Sequence, residues 1–307
     1  MHLDIKPDRT AEWGGAAELS GASVAMPELA SPVETLTGSL QFQGSRAALL
    51  NASGKAGKIK WNGEFRWDSE SDGPVQFRLK VPEAAADAIE RELLPLLKRE
   101  QGFIARTLRS PVTPPEWLDS RNADGLIEIA LLHAADLTFE SITGRLQWAG
   151  TKATLSRVTA RWSGASIKAK GAIDVTRSLP VYRVSAEVEN WPSRQGTASA
   201  SFDLDAAGTG NALLAGLRAK GALEAAQLGA EVREISGGFE FANAGGTSKI
   251  KLTDMVLVTA KETYQAQTAA SIEGKLQIDL ISGRKSARLT GYIQPLQFEF
   301  SETRAAN

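Results

Sequence analysis

From Phe139 to Val188 the chain alternates apolar and polar side chains with a period of two, and that period restricts it to half-buried strands. Ile142, Gly144, Leu146 and Trp148 fall on one side, with Thr143, Arg145 and Gln147 on the other. After a turn at Gly150 the pattern resumes through Ala153–Leu155 and Ala160–Trp162 and turns again at Ser163-Gly164. It then runs from Ala165 to Val175, where Ala165, Ile167, Ala169, Ile173 and Val175 oppose Lys168, Lys170 and Asp174. Tyr182, Val184, Ala186 and Val188 close the unit in phase. A meander of this kind needs a partner surface on one face only.

The same pattern occurs twice more. Thr37-Gly38-Ser39-Leu40-Gln41-Phe42-Gln43-Gly44-Ser45-Arg46-Ala47 aligns with Thr143-Gly144-Arg145-Leu146-Gln147-Trp148-Ala149-Gly150-Thr151-Lys152-Ala153. The strands Ile59–Trp67 and Val75–Val81 then correspond to those through Gly171 and ending at Val188. A more divergent copy opens at Ile235-Ser236-Gly237-Gly238-Phe239-Glu240-Phe241. It continues through Ile250, Leu252, Val256 and Val258 to a strand Ile272–Leu280, then Leu289–Ile293 and Leu296–Phe300. Repetition of one strand meander predicts a stacked β architecture. The fold expected is mainly β: a repeated antiparallel meander curved into a groove or open barrel, with one amphipathic helix packed on it.

That helix is expected from Glu83 to about Phe103, after Pro82, with Ile89, Leu93, Leu96 and Leu97 at helical spacing and a kink at Pro95. Its mixed acidic and basic polar face favours a plug or cap on the groove over a membrane-interface role. A Pro-rich linker with Pro111, Pro114 and Pro115 follows and ends at Trp117-Leu118. A second, short helix is expected over Asn211–Leu217. Before the first repeat, Trp13–Gly15 and Gly21–Val24 read as short strand-like pieces. The organisation expected is therefore 1–82, first β repeat; 83–124, helix and linker; 125–300, second and third repeats; and 301–307, a tail.

Composition closes several alternatives. Lys+Arg 35 against Asp+Glu 36 gives a formal net charge of -1, so no overall field draws the chain to nucleic acid or anionic headgroups. The absence of cysteine removes thiolate nucleophiles, thiolate metal sites and disulfides. No run reaches the roughly 18 apolar residues that span a bilayer, and Met1–Lys6 has no signal-peptide character. The chain is expected to be either cytoplasmic or a piece of a longer protein whose anchor lies upstream.

Catalytic motifs are weak. Gly208-Thr209-Gly210 has Leu213 where a dinucleotide fingerprint needs its third glycine, and capping or turn formation explains the glycines better. His133 near Asp136 lacks a nucleophile elbow and reads as a structural histidine. Asp72, Asp124, Asp203 and Asp205 do not form a hard-metal loop. No catalysis, cofactor or metal is expected.

The apolar faces offer a site. Leu40, Phe42, Trp61, Phe65, Phe77, Leu146, Trp148, Ile167, Ile173, Phe239, Phe241, Leu276 and Ile278 either line a groove for acyl chains or pack as ordinary core. On the opposite faces Gln41, Glu64, Arg66, Lys168, Lys170, Lys275 and Gln277 are solvated, or belong to a β scaffold or adhesin-like protein-binding module without lipid. Open sheet edges would let partners extend the sheet.

Certain residues resemble the AsmA-like proteins of Gram-negative envelopes. They are the Thr-Gly-x-Leu-x-aromatic openings at Thr37 and Thr143, the returning strands at Gly63 and Gly171-Ala172-Ile173-Asp174, Leu179-Pro180-Val181-Tyr182, and the Gly208–Gly221 passage. The resemblance covers about Glu12 to Ile293 and looks like the C-terminal region of an AsmA/TamB-type protein. It implies a non-enzymatic periplasmic β groove, held to the inner membrane by an N-terminal helix that this chain does not carry. It also implies phospholipid binding or transport in outer-membrane biogenesis, with other envelope proteins as partners.

Overall fold

The computed structural model describes residues 2–5, 11–70, 73–98, 114–193, 195–228, 231–244, 247–272, 275–292 and 296–303. It is mainly β, a meander in which consecutive strands pair, and it forms two compact units. Unit 1 comprises residues 1–160 and 170–181; unit 2 comprises 161–169 and 182–307. Strands β9 (Lys152–Trp162), β10 (Ala165–Asp174) and β11 (Val181–Pro192) are divided between them.

In unit 1 the strands are β1 (His2–Ile5), β2 (Ala11–Val24), β3 (Val33–Gln43), β4 (Arg46–Ala56), β5 (Ile59–Asp68), β6 (Val75–Ala85), β7 (Asn122–Ala134) and β8 (Leu137–Ala149). All neighbours pair antiparallel except β6 and β7, which run parallel from Val75↔Ala123 to Ala85↔His133. Two-residue turns join several of the hairpins, and their first residues, Gly44, Gly57 and Ala135, have φ of 57°, 54° and 51°. That is the conformation a right-twisted hairpin requires. The strand-like pieces expected around Trp13 and Gly21 are one 14-residue strand, β2. Its pairing to β3 shifts register between Leu19 and Ala22, beside Gly21.

The internal repeat is visible as a repeated defect in the ladder. In the first copy Thr35 on β3 and Asn51 on β4 have φ of 53° and 48°, with register shifts between Glu34 and Thr37 and between Thr37 and Ser39. In the second copy Ser141 and Arg157 have φ of 52° and 52°. Two residues beyond each bulge, Thr37 Oγ1 lies 2.7 Å from Ser53 Oγ and Thr143 Oγ1 lies 2.8 Å from Thr159 Oγ1. The third copy shifts between Ser236 and Gly238, opposite Asp254 with φ 48°. Each bulge adds local twist to the strands that carry it.

The long kinked helix does not form. β6 continues through Pro82 to Ala85, because the β5 pairing ends at Lys80 and the missing Pro82 N–H meets no strand on that side. Two short helices follow: α1 (Ala86–Glu92), braced by an Arg91–Asp87 pair at 3.3 Å, and α2 (Leu94–Leu97). Pro95 has no N–H for the Arg91 carbonyl, so it starts a new turn instead of kinking a continuous helix. The expected extension from Arg99 to Phe103 lies outside the described residues, as does Pro111. Trp117 and Leu118 sit in a one-turn helix, α3 (Glu116–Asp119), with Leu118 1% exposed.

The β2–β3 connection and α1 cover one end of the unit 1 sheet. Leu29, from the connection between β2 and β3, packs with Val33, Leu36, Ala52, Leu49 and Trp61. The buried Glu92 of α1 accepts hydrogen bonds from the Ser31 N–H at 3.0 Å and the Ser31 hydroxyl at 3.3 Å. Beside them the buried Glu28 pairs with Arg121. Val33, at the end of the connection that holds Glu28, and Asn122, next to Arg121, lie at opposite ends of the sheet by register, so the pair ties opposite corners together. The right-handed twist of a sheet brings such corners toward each other over one face.

Unit 2 holds β12 (Thr197–Ala207), β13 (Arg218–Ala226), β14 (Val232–Ala244), β15 (Thr247–Thr259), β16 (Thr263–Ile272), β17 (Lys275–Ser282), β18 (Lys285–Tyr292) and β19 (Gln297–Thr303), all paired antiparallel in order. A short helix, α4 (Asn211–Ala215), lies between β12 and β13. The strand expected over Ile272–Leu280 is divided between two antiparallel strands, with Ile272 ending β16 and paired with Lys275, which begins β17. Its inner faces enclose a continuous core in which Leu257 and Tyr264 are 0% exposed and Ile235, Leu280 and Leu289 1%. Among the described residues a parallel bridge, Ser193↔Leu296, joins the segment after β11 to the segment before β19, and no ladder closes the sheet there.

Candidate apolar groove

Register places the aromatic residues of unit 1 on one face. Leu40 of β3 sits opposite Leu49 of β4, and Leu49 opposite Phe65 of β5. Phe65 then pairs with Phe77 of β6, Phe77 with Gly125 of β7, and Gly125 with Leu146 of β8. One step along, Phe42 pairs with Ala47, Ala47 with Trp67, and on the far side Ala123 with Trp148. Trp61 and Phe65 meet edge to face at 5.8 Å, and Phe65 stacks on Phe77 at 6.3 Å. Gly125 lets Phe77 lie flat: a Cβ there would land on the Phe77 ring and carbonyl.

Of the thirteen residues expected to line a groove, unit 1 gathers Leu40, Phe42, Trp61, Phe65, Phe77, Leu146 and Trp148 on this face, each half-buried. Ile173 of β10 is also half-buried and belongs to unit 1. The other five lie in unit 2, where the surroundings differ. Ile278 is 3% exposed within the core, and Ile167 and Leu276 pack directly against it. Phe239 and Phe241 share a face with Phe202 and Leu223 through the pairs Phe239↔Gly221, Gly221↔Phe202 and Phe241↔Ala219. Leu49, Leu79, Ile127 and Ile129 also belong to the unit 1 face and were not singled out from sequence. Their signal was present, since each continues the alternation of its strand.

The opposite face of unit 1 is an ion-pair ladder. Arg145 donates from Nε and Nη2 to the two oxygens of Asp124 at 2.7 and 2.6 Å. Arg78 does the same to Glu128 Oε1 at 3.0 and 2.6 Å, while Lys80 reaches Glu128 Oε2 at 3.2 Å. Hydrogen bonds from Arg145 hold the Asp124 carboxyl below the usual range, and those from Arg78 and Lys80 do so for Glu128. Arg78, Asp124, Glu128 and Arg145, with Glu64 and Arg66, line an open depression of about 680 Å³. Each carboxylate there accepts from a guanidinium or ammonium, so the chemistry is cross-strand cohesion on a solvated surface. Unit 2 repeats the arrangement with Asp203 opposite Lys220, Lys220 opposite Glu240, and Glu240 opposite Lys251.

His133 bridges three strands through Thr138 at 3.2 Å and Glu83 at 3.1 Å, and neither partner is the nearby Asp136. Gly208 and Gly210, with φ of 99° and 54°, shape the turn into α4. Among the described residues no group of three or more His, Cys, Asp or Glu is placed to hold a metal ion. No described helix is long and apolar enough to cross a membrane. Comparison with known proteins found no matching family model, no matching curated protein and no matching solved structure.

Proposed function

We propose that the apolar face of unit 1 is a groove for phospholipid acyl chains, and that the protein is a non-enzymatic, AsmA-like component of the cell envelope. It binds or guides lipid for outer-membrane biogenesis from the periplasm, with an inner-membrane anchor of the kind that resemblance implies. One observation carries the reading. The aromatic face of unit 1, from Phe42 and Trp61 through Phe65 and Phe77 to Trp148, stays half-exposed along the strands, whereas the largest continuous buried cluster among the described residues lies in unit 2. A face of this size lined by Phe, Trp and Leu, with its charges confined to the other side, suits a long uncharged chain. Each methylene buried there contributes about 0.8 kcal/mol. Ten strand residues extend about 33 Å, longer than a typical acyl chain.

The test is lipid extraction and native mass spectrometry of the protein purified from a bacterial envelope, alongside Phe42→Glu and Trp148→Glu. Co-purifying phospholipid that is lost in both variants, with their circular dichroism unchanged, is the expected result. A folded wild-type protein without lipid would favour the protein-binding scaffold and remove the groove.

A further inference from the structure

The charged face of unit 2 is a ladder with one rung missing. The row Asp203, Lys220, Glu240, Lys251 crosses β12 to β15 with its signs alternating. Two residues along, the next row on the same face reads Asp205, Arg218, Ala242, Lys249. Alternation calls for a carboxylate between Arg218 and Lys249, and the chain supplies a methyl group.

Unit 1 has a gap of the same kind and closes it. Leu126 of β7 sits between Arg78 and Arg145 in register, and the two guanidiniums turn diagonally to Glu128 and Asp124, each at 2.6 Å. No such diagonal is open in unit 2. The neighbouring same-face positions on β14 are Glu240, which accepts from Lys251 at 3.4 Å, and Ala244. Asp205 is paired with Arg183 at 3.7 Å, and Asp203 accepts from the Ser185 hydroxyl at 2.7 Å. Arg218 and Lys249 are exposed and have no hydrogen-bond or ion-pair partner among the described residues.

The two rows line an open depression of about 820 Å³. With Arg183, five cations face three carboxylates there, an excess of two in a chain whose formal net charge is -1. Arg218 and Lys249 are two strand spacings apart, about 10 Å at the backbone, a span that an arginine and a lysine can close onto one group held over Ala242. A phosphate monoester carries close to two negative charges at neutral pH and offers three acceptor oxygens, enough for a guanidinium fork and an ammonium at once. A carboxylate would match only one of the two charges.

We infer that the gap over Ala242 is a binding site for a phosphate group, inorganic or monoester, held by Arg218 and Lys249. It lies on the charged face of unit 2, so its success or failure is independent of the acyl-chain groove in unit 1.

Equilibrium dialysis with radiolabelled inorganic phosphate in low-salt buffer tests the site, with circular dichroism confirming that each variant is folded. The wild type should bind with a Kd on the order of 1 mM, and Arg218→Gln and Lys249→Gln should each weaken binding about fivefold or more. Lys170→Gln, which makes the same change in net charge on unit 1, should leave binding as it is. Ala242→Glu supplies the missing carboxylate from the chain itself and should abolish binding, with a urea midpoint at or above that of the wild type. Displacement by methyl phosphate identifies a monoester as the ligand and its failure the free ion; either upholds the site. No saturable binding, an equal loss in Lys170→Gln, or binding retained in Ala242→Glu would overturn it.

Discussion

At the scale of single residues, the ladder defects carry the most specific information. Gly237 has φ 155°, and a Cβ there would fall on the Met255 backbone. Gly237→Ala should therefore destabilise unit 2 by about 2–4 kcal/mol, read as a lower urea midpoint. Arg157 sits in its bulge at φ 52°, where a β-branched side chain is strained and glycine is not. Arg157→Val should lower stability by about 1–2 kcal/mol and Arg157→Gly should leave it level or raise it slightly, in the same assay. Tyr264 is 0% exposed, donates to Glu302 at 3.2 Å, and burial pushes its hydroxyl up to about 12. Unfolded chains release that proton near pH 10 while the folded protein keeps it, so stability falls as pH rises from about 10 to 12. Tyr264→Phe should remove this part of the alkaline decline, seen by comparing urea midpoints at neutral and alkaline pH. Of these positions only Gly237, in the opening of the third repeat, was distinctive in the sequence. Thr35, Ser141 and Arg157 occupy polar places in an alternating pattern, and only the backbone shows that they interrupt it.

At the scale of elements, strands were legible wherever one face was apolar, because a period of two admits no helix. β2 was obscured by its run of Gly14-Gly15-Ala16-Ala17, which leaves little side chain to alternate. Residues 83–97 support either period, and pairing of β6 with β7 decided for strand as far as Ala85. The ion pair between Glu28 and Arg121 could not be read from sequence, since it depends on the sheet's twist bringing opposite corners together. Glu28 is 5% exposed, so Arg121→Met would leave a buried carboxylate without its cation. The expected loss is about 3 kcal/mol in urea unfolding, largely restored by adding Glu28→Gln. Full stability in Arg121→Met alone would show that the corner tie does not support unit 1.

At the scale of the molecule, the repeat was legible and the depth to which each apolar position is buried was not. Leu146 and Ile278 both continue the alternation of their strands, yet one is half-buried on an aromatic face and the other is 3% exposed in a core. Burial depends on what the rest of the unit places over the face, and alternation carries no record of that. The central claim is that acyl chains occupy the unit 1 face and avoid the unit 2 core. Phospholipid brominated along its acyl chains quenches tryptophan on contact, and variants retaining only Trp61 or only Trp191 report the two places separately. Trp191 is 8% exposed and packs on Trp162 at 4.8 Å, whereas Trp61 lies on the face beside Phe65. Strong quenching of Trp61 with Trp191 unaffected is the expected result; equal quenching of both, or none of Trp61, would contradict the account.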